Sequence, residues 1–250
     1  FLHKDNINMS EWNRLSHFNK PLLLPKPGAD GCIHCAVVGT AGILNGSKVG
    51  AEIDAHDYVF RMNGAVIKGY EEDVGNRTSV YVHTEHSITA SPYFFGKYGY
   101  KSAPHDEVVK LTRQQCDIVY TLHRLKIILL HNFSLVFLYF LFVCLFFNHR
   151  FLKSPNLNKR FWAIVRPTNG AFTLFLALHI CDTVDAYGFM TDDYMKYSNY
   201  YAQKYIKTKV HFYSNHDYIL EKNTWKDLHN RKVIKLYQRT EPESGTEKPK

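Results

Sequence analysis

Between residues 33 and 84, short apolar runs alternate with turn signals: Ala36-Val37-Val38, Tyr58-Val59-Phe60 and Ser79-Val80-Tyr81-Val82. Runs this short, rich in β-branched and aromatic residues, suit strands, and the chain between them suits helices. The pattern predicts an α/β fold with a mostly parallel central sheet flanked by helices. The first run breaks into glycines at Gly39, Gly42 and Gly46 within CAVVGTAGILNG, residues 35–46. A strand opening into such a loop can lie against a phosphate. The dinucleotide fingerprint, however, needs G-x-G-x-x-G, and a Walker loop needs Gly-Lys-Ser/Thr where this chain has Gly46-Ser47-Lys48. Taken alone, the turn fits an ordinary strand-to-helix loop as well as a phosphate site.

The rest of the chain extends the pattern. AFTLFLALHI, residues 171–180, predicts a buried helix, and Thr183 to Phe189 a strand. Trp225 to Leu236 reads as a last amphipathic helix and strand. Residues 1–31, with Pro21, Pro25, Pro27 and Gly28, read as an extended approach or stem segment. Residues 240–250, polar and containing Pro, read as a disordered tail. Residues 32–239 are left as one catalytic-size domain of the 250-residue chain.

The charge balance is +8. A basic surface favours anionic partners. The basic residues are scattered, with neither zinc-finger spacing nor an aromatic RNA-binding signature, so an anionic small ligand is expected and no nucleic acid. Five cysteines are present, Cys32, Cys35, Cys116, Cys144 and Cys181; Cys32-x-x-Cys35 lacks the second ligand pair of a zinc site. Sequons at Asn8, Asn45, Asn76 and Asn132 lean towards a secretory, disulfide-permissive compartment. The chain starts at Phe1 and is read as a piece whose amino-terminal signal or anchor is out of view.

Residues 85–149 are atypical. Within them, residues 127–147, IILLHNFSLVFLYFLFVCLFF, are long and apolar enough for a membrane span. A span there would separate residues 33–84 from 160–238, which form one site on the reading below. A buried helix, an unusual insertion and a translated intron remain; the Phe- and Leu-rich run matches a translated pyrimidine-rich tract, and that reading is preferred.

Two further constellations carry chemistry. His216, followed by Glu221 five residues later, offers an imidazole able to take a hydroxyl proton, and His211 adds a second imidazole that could face an anion. In isolation, with 14 histidines in the chain, an ordinary histidine explains either. Arg166-Pro167-Thr168-Asn169-Gly170 precedes the apolar helix; its backbone N–H groups suit a phosphate or carboxylate, and simple capping by Thr168 or Asn169 explains it equally.

Four segments together are more specific. Cys35 to Val66 resembles the large sialyl motif of animal sialyltransferases, and Pro167 to Phe189 is similar to their small motif. His211-Phe212-Tyr213-Ser214 resembles the short third motif, and His216 to Glu221 the very small one. Ile43-Leu44-Asn45-Gly46, Val66 to Tyr70, and Ile234 to Arg239 resemble the branch that sialylates O-linked N-acetylgalactosamine through its 6-hydroxyl.

The resemblance implies a Rossmann-like glycosyltransferase fold, a GT-A-like variant in a single domain. It implies CMP-sialic acid as donor substrate, no cofactor, no metal, inversion at the anomeric centre and O-glycosylated glycoproteins as acceptors. His216 falls on the catalytic base. Thr40, Asn63, Thr168, Asn169, Gly170, Tyr200 and His211 fall on the donor site. Glu221 falls where a residue orients the His216 segment, and Cys35 and Cys181 on a disulfide. Residence as the luminal domain of a single-pass type II protein, held to the Golgi membrane by an amino-terminal anchor outside this chain, is also implied. The chain departs from the family at Thr40-Ala41, where near relatives carry Asn with Gly or Ser, and at Asn169, Phe212 and Ser214. These departures define an alternative, a relative that binds CMP or glycan without turnover.

Overall fold

A computed structural model describes residues 23, 30–102, 109–114, 117–121, 152–160 and 162–239. Most of the expected approach segment, the apolar run at 127–147, Cys116, Cys144 and the tail from 240 lie outside the described residues.

Seven strands among the described residues form one sheet: β1 (His34–Val38), β2 (Tyr58–Met62), β3 (Val80–Thr84), β4 (Val109–Gln114), β5 (Asp117–Thr121), β6 (Thr183–Tyr187) and β7 (Lys235–Leu236). Their order is β5-β4-β3-β2-β1-β6-β7. Every pairing is parallel except β4–β5, which is antiparallel with Gln114 opposite Asp117. Among the described residues five α-helices accompany it: α1 (Gly50–Ala55), α2 (Glu71–Val74), α3 (Glu85–Phe95), α4 (Asn169–Ile180) and α5 (Tyr218–Asn230). The expected mostly parallel sheet with flanking helices is what the chain forms. The elements α3, β4 and β5 fall inside the stretch read as atypical, to which the sequence reading assigned none.

Both sheet faces are covered, as a parallel sheet requires. Alternation along the strands sends Cys35, Val37, Phe60 and Met62 to one face, under Leu174 and Phe175 of α4 and Trp225 of α5. It sends Ala36, Val38 and Val59 to the other, against Ile43, Leu44, Ile53 and Val74. The two faces explain why the strands read as continuous apolar runs. Helix α4 buries Ala171, Phe172, Thr173, Leu174, Phe175 and Ala177, so it is apolar nearly all round. Cys35 of β1 and Cys181, just past α4, form the disulfide that the resemblance implied, with Cα atoms 6.1 Å apart. Cys32 is a free thiol.

From β1 the chain proceeds outward through β2, β3 and β4 on one side, then returns to place β6 and β7 on the other. The order therefore reverses between β1 and β6. In open α/β sheets, ligands bind beyond the carboxyl ends of the strands at such a point.

Candidate active site

The loops leaving β1 and β6 meet at that reversal. The Gly39 N–H donates to the Tyr187 carbonyl (2.7 Å) and the Ala41 N–H to the Gly188 carbonyl (3.0 Å). A Cβ on Gly39 would lie 2.4 Å from the Gly188 oxygen, and one on Gly42 would lie 2.0 Å from the Ser198 oxygen. These glycines let backbone approach backbone, and the turn opens a floor rather than wrapping a dinucleotide. The loop behind it is clamped. Asp73 accepts from the N–H groups of Gly46 and Lys48, and Arg239 donates to the Asn45 and Gly46 carbonyls.

Above this floor lies a cleft of about 850 Å³. Thr40, Asn63, Thr168, Asn169, Gly170, Tyr200, His211, His216 and Glu221 all line it, although they are spread over 182 positions, from 40 to 221. Thr40 follows β1, and its carbonyl accepts from the Tyr201 N–H (3.1 Å). Asn63 follows β2 with φ +55°, and the buried Tyr81 hydroxyl donates to its carbonyl. The Asn169 side-chain amide donates to Asn63 Oδ1, bridging the end of β2 to the first turn of α4. Tyr200 packs edge-on against Phe95 (4.9 Å between centroids), and burial raises its phenol pKa, so it stays neutral. His211 is exposed, its ring 4.4 Å from that of Tyr213.

Thr168 is the N-cap of α4, its hydroxyl accepting from the Ala171 N–H (3.0 Å). That hydroxyl donates in turn to Glu221 Oε2, while the Thr168 N–H donates to Glu221 Oε1 (2.8 Å). Glu221, 4% exposed, thus joins α5 to the turn before α4. Its contact is with that turn; the partner of His216 is different. The His216 Nδ1 lies 2.8 Å from the Arg166 carbonyl. A carbonyl only accepts, so Nδ1 carries a proton, and in the neutral ring Nε2 is the acceptor nitrogen. The Arg166 N–H donates back to the Asn215 carbonyl (2.9 Å), so the two segments are held together on both sides of the imidazole.

Several lining residues carry no signal in the sequence. Ser87, Thr89, Ser91 and Phe94 of α3 form one wall, and Thr191, Tyr194 and Tyr197 another. A helix containing Pro92 and small polar residues shows no clear apolar period; Asn199 and Asn215 lie in loops. Among the described residues, no group of three His, Cys, Asp or Glu side chains comes together to hold a metal.

An open, mostly parallel sheet with a cleft at its strand-order reversal defines a Rossmann-like α/β class of protein. Within that class the chain belongs to glycosyltransferase family 29, the sialyltransferases, whose family model matches residues 3–233. It is 39% identical over 300 residues to an alpha-N-acetylgalactosaminide alpha-2,6-sialyltransferase 1 of Gallus gallus, covering 96% of this chain and 51% of that one. It is likewise 39% identical over 251 residues to the alpha-2,6-sialyltransferase 2 of Mus musculus, covering 89% of this chain and 64% of that one. The chain therefore spans about half to two thirds of the length of these relatives. The crystal structure of a mammalian sialyltransferase in complex with Gal-beta-1-3GalNAc-ortho-nitrophenol shares the fold, with a TM-score of 0.53 at 22% identity over 96% of this chain and 88% of that one.

Proposed function

We propose that this chain transfers sialic acid from CMP-sialic acid to the 6-hydroxyl of N-acetylgalactosamine O-linked to Ser or Thr of glycoproteins. His216 is the base. With its proton fixed on Nδ1 by the Arg166 carbonyl, Nε2 takes the acceptor hydroxyl proton as that oxygen attacks the anomeric carbon. Attack from the face opposite the departing CMP inverts that centre.

The leaving phosphate gains charge as the bond breaks. The first turn of α4, at Asn169 and Gly170, and the His211 imidazole supply positive potential in the same cleft, without a metal. Thr40, Asn63 and Tyr200 provide polar groups for the nucleotide. Glu221 holds the Thr168 turn rather than acting on substrate. The single observation that carries the reading is the orientation of His216 in a cleft shared with the α4 N-terminus. Two relatives named for N-acetylgalactosaminide acceptors support the acceptor class. Among the described residues no helix is long and apolar enough to cross a membrane, which is compatible with a luminal domain anchored in the Golgi membrane from outside this chain.

CMP release by the purified chain, with and without desialylated mucin, tests the proposal. Acceptor-dependent release is expected, and His216→Ala abolishes transfer while CMP still binds. A folded chain that binds CMP and never turns over would falsify it.

A further inference from the structure

We propose that Arg166 is an anion anchor of the cleft, its guanidinium receiving a carboxylate of the bound substrate beside His216. The proposal rests on the transfer reaction proposed above. Arg166 lines the cleft and is partly buried. Its main chain is committed at both ends, the N–H to Asn215 and the carbonyl to His216 Nδ1. The side chain therefore starts from a fixed point next to the base.

The guanidinium itself makes no hydrogen bond, ion pair or ring contact with the described residues. Other charges in the cleft are already answered by protein. Lys222 pairs with Asp192, and the Glu221 carboxylate is held by Thr168. Arg166 thus brings to the cleft a permanent charge, with five N–H donors in a planar fork, that no carboxylate among the described residues neutralises. That fork matches a carboxylate through two parallel bonds.

The donor carries two anionic groups, a phosphodiester and a carboxylate on the anomeric carbon. The α4 N-terminus suits the first. Arg166, bonded to the segment that bears the base, suits the second, next to the reacting centre. An acceptor with its own carboxylate is another source of the same chemistry.

The test compares wild type, Arg166→Gln and Arg166→Lys. Kd is measured for CMP and for CMP-sialic acid, and KM for the donor, for a neutral N-acetylgalactosaminyl peptide and for a carboxylate-bearing glycopeptide. Arg166→Gln should weaken CMP-sialic acid by about 10- to 100-fold. Its affinity for CMP, which lacks the carboxylate, should stay within about twofold of wild type, an internal check on folding. Arg166→Lys should recover part of the loss. Unchanged donor binding with a raised KM for the carboxylate-bearing acceptor alone assigns the anchor to the acceptor and sustains the proposal. Unchanged values for every carboxylate ligand, or an equal loss for CMP, overturns it. Because the donor and CMP Kd values need no turnover, an inactive wild type refutes the transfer reading and leaves this comparison readable.

Discussion

Asn63 occupies a left-handed backbone position, φ +55°, that most side chains avoid, at a cost of order 1 kcal/mol. Tyr81 holds its carbonyl and Asn169 its side chain, so one residue carries a backbone role and a side-chain role. Two substitutions separate them. Asn63→Gly keeps the backbone and should leave the melting temperature nearly unchanged while raising the donor KM. Asn63→Ala loses both and should also lower stability by about 1–2 kcal/mol in chemical denaturation. A different residue-scale effect sits at the far end of the sheet. His56 directs Nδ1 to the carbonyls of Glu52 and Ile53 and Nε2 to Asp185, with Tyr187 edge-on to its ring and Lys235 beside the carboxylate. Burial pulls the His56 pKa down, but Asp185 and the carbonyls outweigh it and the net shift is upward from 6.5. The unfolded chain releases that proton first as pH rises. The contribution of His56 is therefore complete below pH 6.5 and is lost as pH climbs through the folded value. Asp185 works in the opposite sense. Burial raises its pKa, yet His56 and Lys235 hold it below 3.8, so its contribution fades only as pH falls below that value. Melting temperature against pH should decline above pH 6.5 in wild type, and His56→Asn should flatten that decline.

At the scale of elements, the site depends on how α4 and α5 begin. The sequence predicts a helix from residue 171; it starts at Asn169 because Thr168 caps it and Glu221 holds Thr168. The last helix, expected from Trp225, starts seven residues earlier, at Tyr218, because Asp217 caps Leu220. Both errors have one cause: caps act through single polar side chains, which leave no apolar period to read. Strands β1, β2, β3 and β6 were legible because burial on both faces makes most of their side chains apolar. By contrast, α3, β4 and β5 were not, since Pro92 and the small polar residues around it mask the helix. The site residues were legible only through the four motifs together. Nothing in Thr40 or Asn169 alone points to a cleft that sheet topology assembles from both halves of the chain. Removing the α4–α5 link should therefore reach the site. Glu221→Ala leaves the partly buried Thr168 N–H unanswered, costing about 1–3 kcal/mol, and should raise the donor KM. Glu221→Gln keeps one acceptor oxygen and should cost less on both counts.

For the whole molecule, the decisive arrangement is that two stretches far apart in sequence build one sheet. Residues up to β5 supply Thr40 and Asn63 to the cleft, and residues from Thr168 onward supply His216, the proposed base. The Cys35–Cys181 bond joins the two stretches across a sequence separation of 146. A crosslink closing so long a loop restricts the unfolded chain strongly, and removing one of this kind typically costs about 2–5 kcal/mol. Cys35→Ala with Cys181→Ser should lower the midpoint of chemical unfolding accordingly; an unchanged midpoint would show that packing between β1 and β6 suffices. One close backbone approach between the stretches is that of Gly39 to Gly188. In genetic terms these are two codons without tolerated missense neighbours: a Cβ at 39 runs into the Gly188 backbone, and one at 188, where φ is +67°, runs into the Leu44 side chain and the Gly39 backbone. By contrast, an added Cβ at Gly96 meets no atom within 4 Å. A map of tolerated variants should therefore be blank at 39 and 188 and populated at 96, tracing the seam between the two halves from genotype alone.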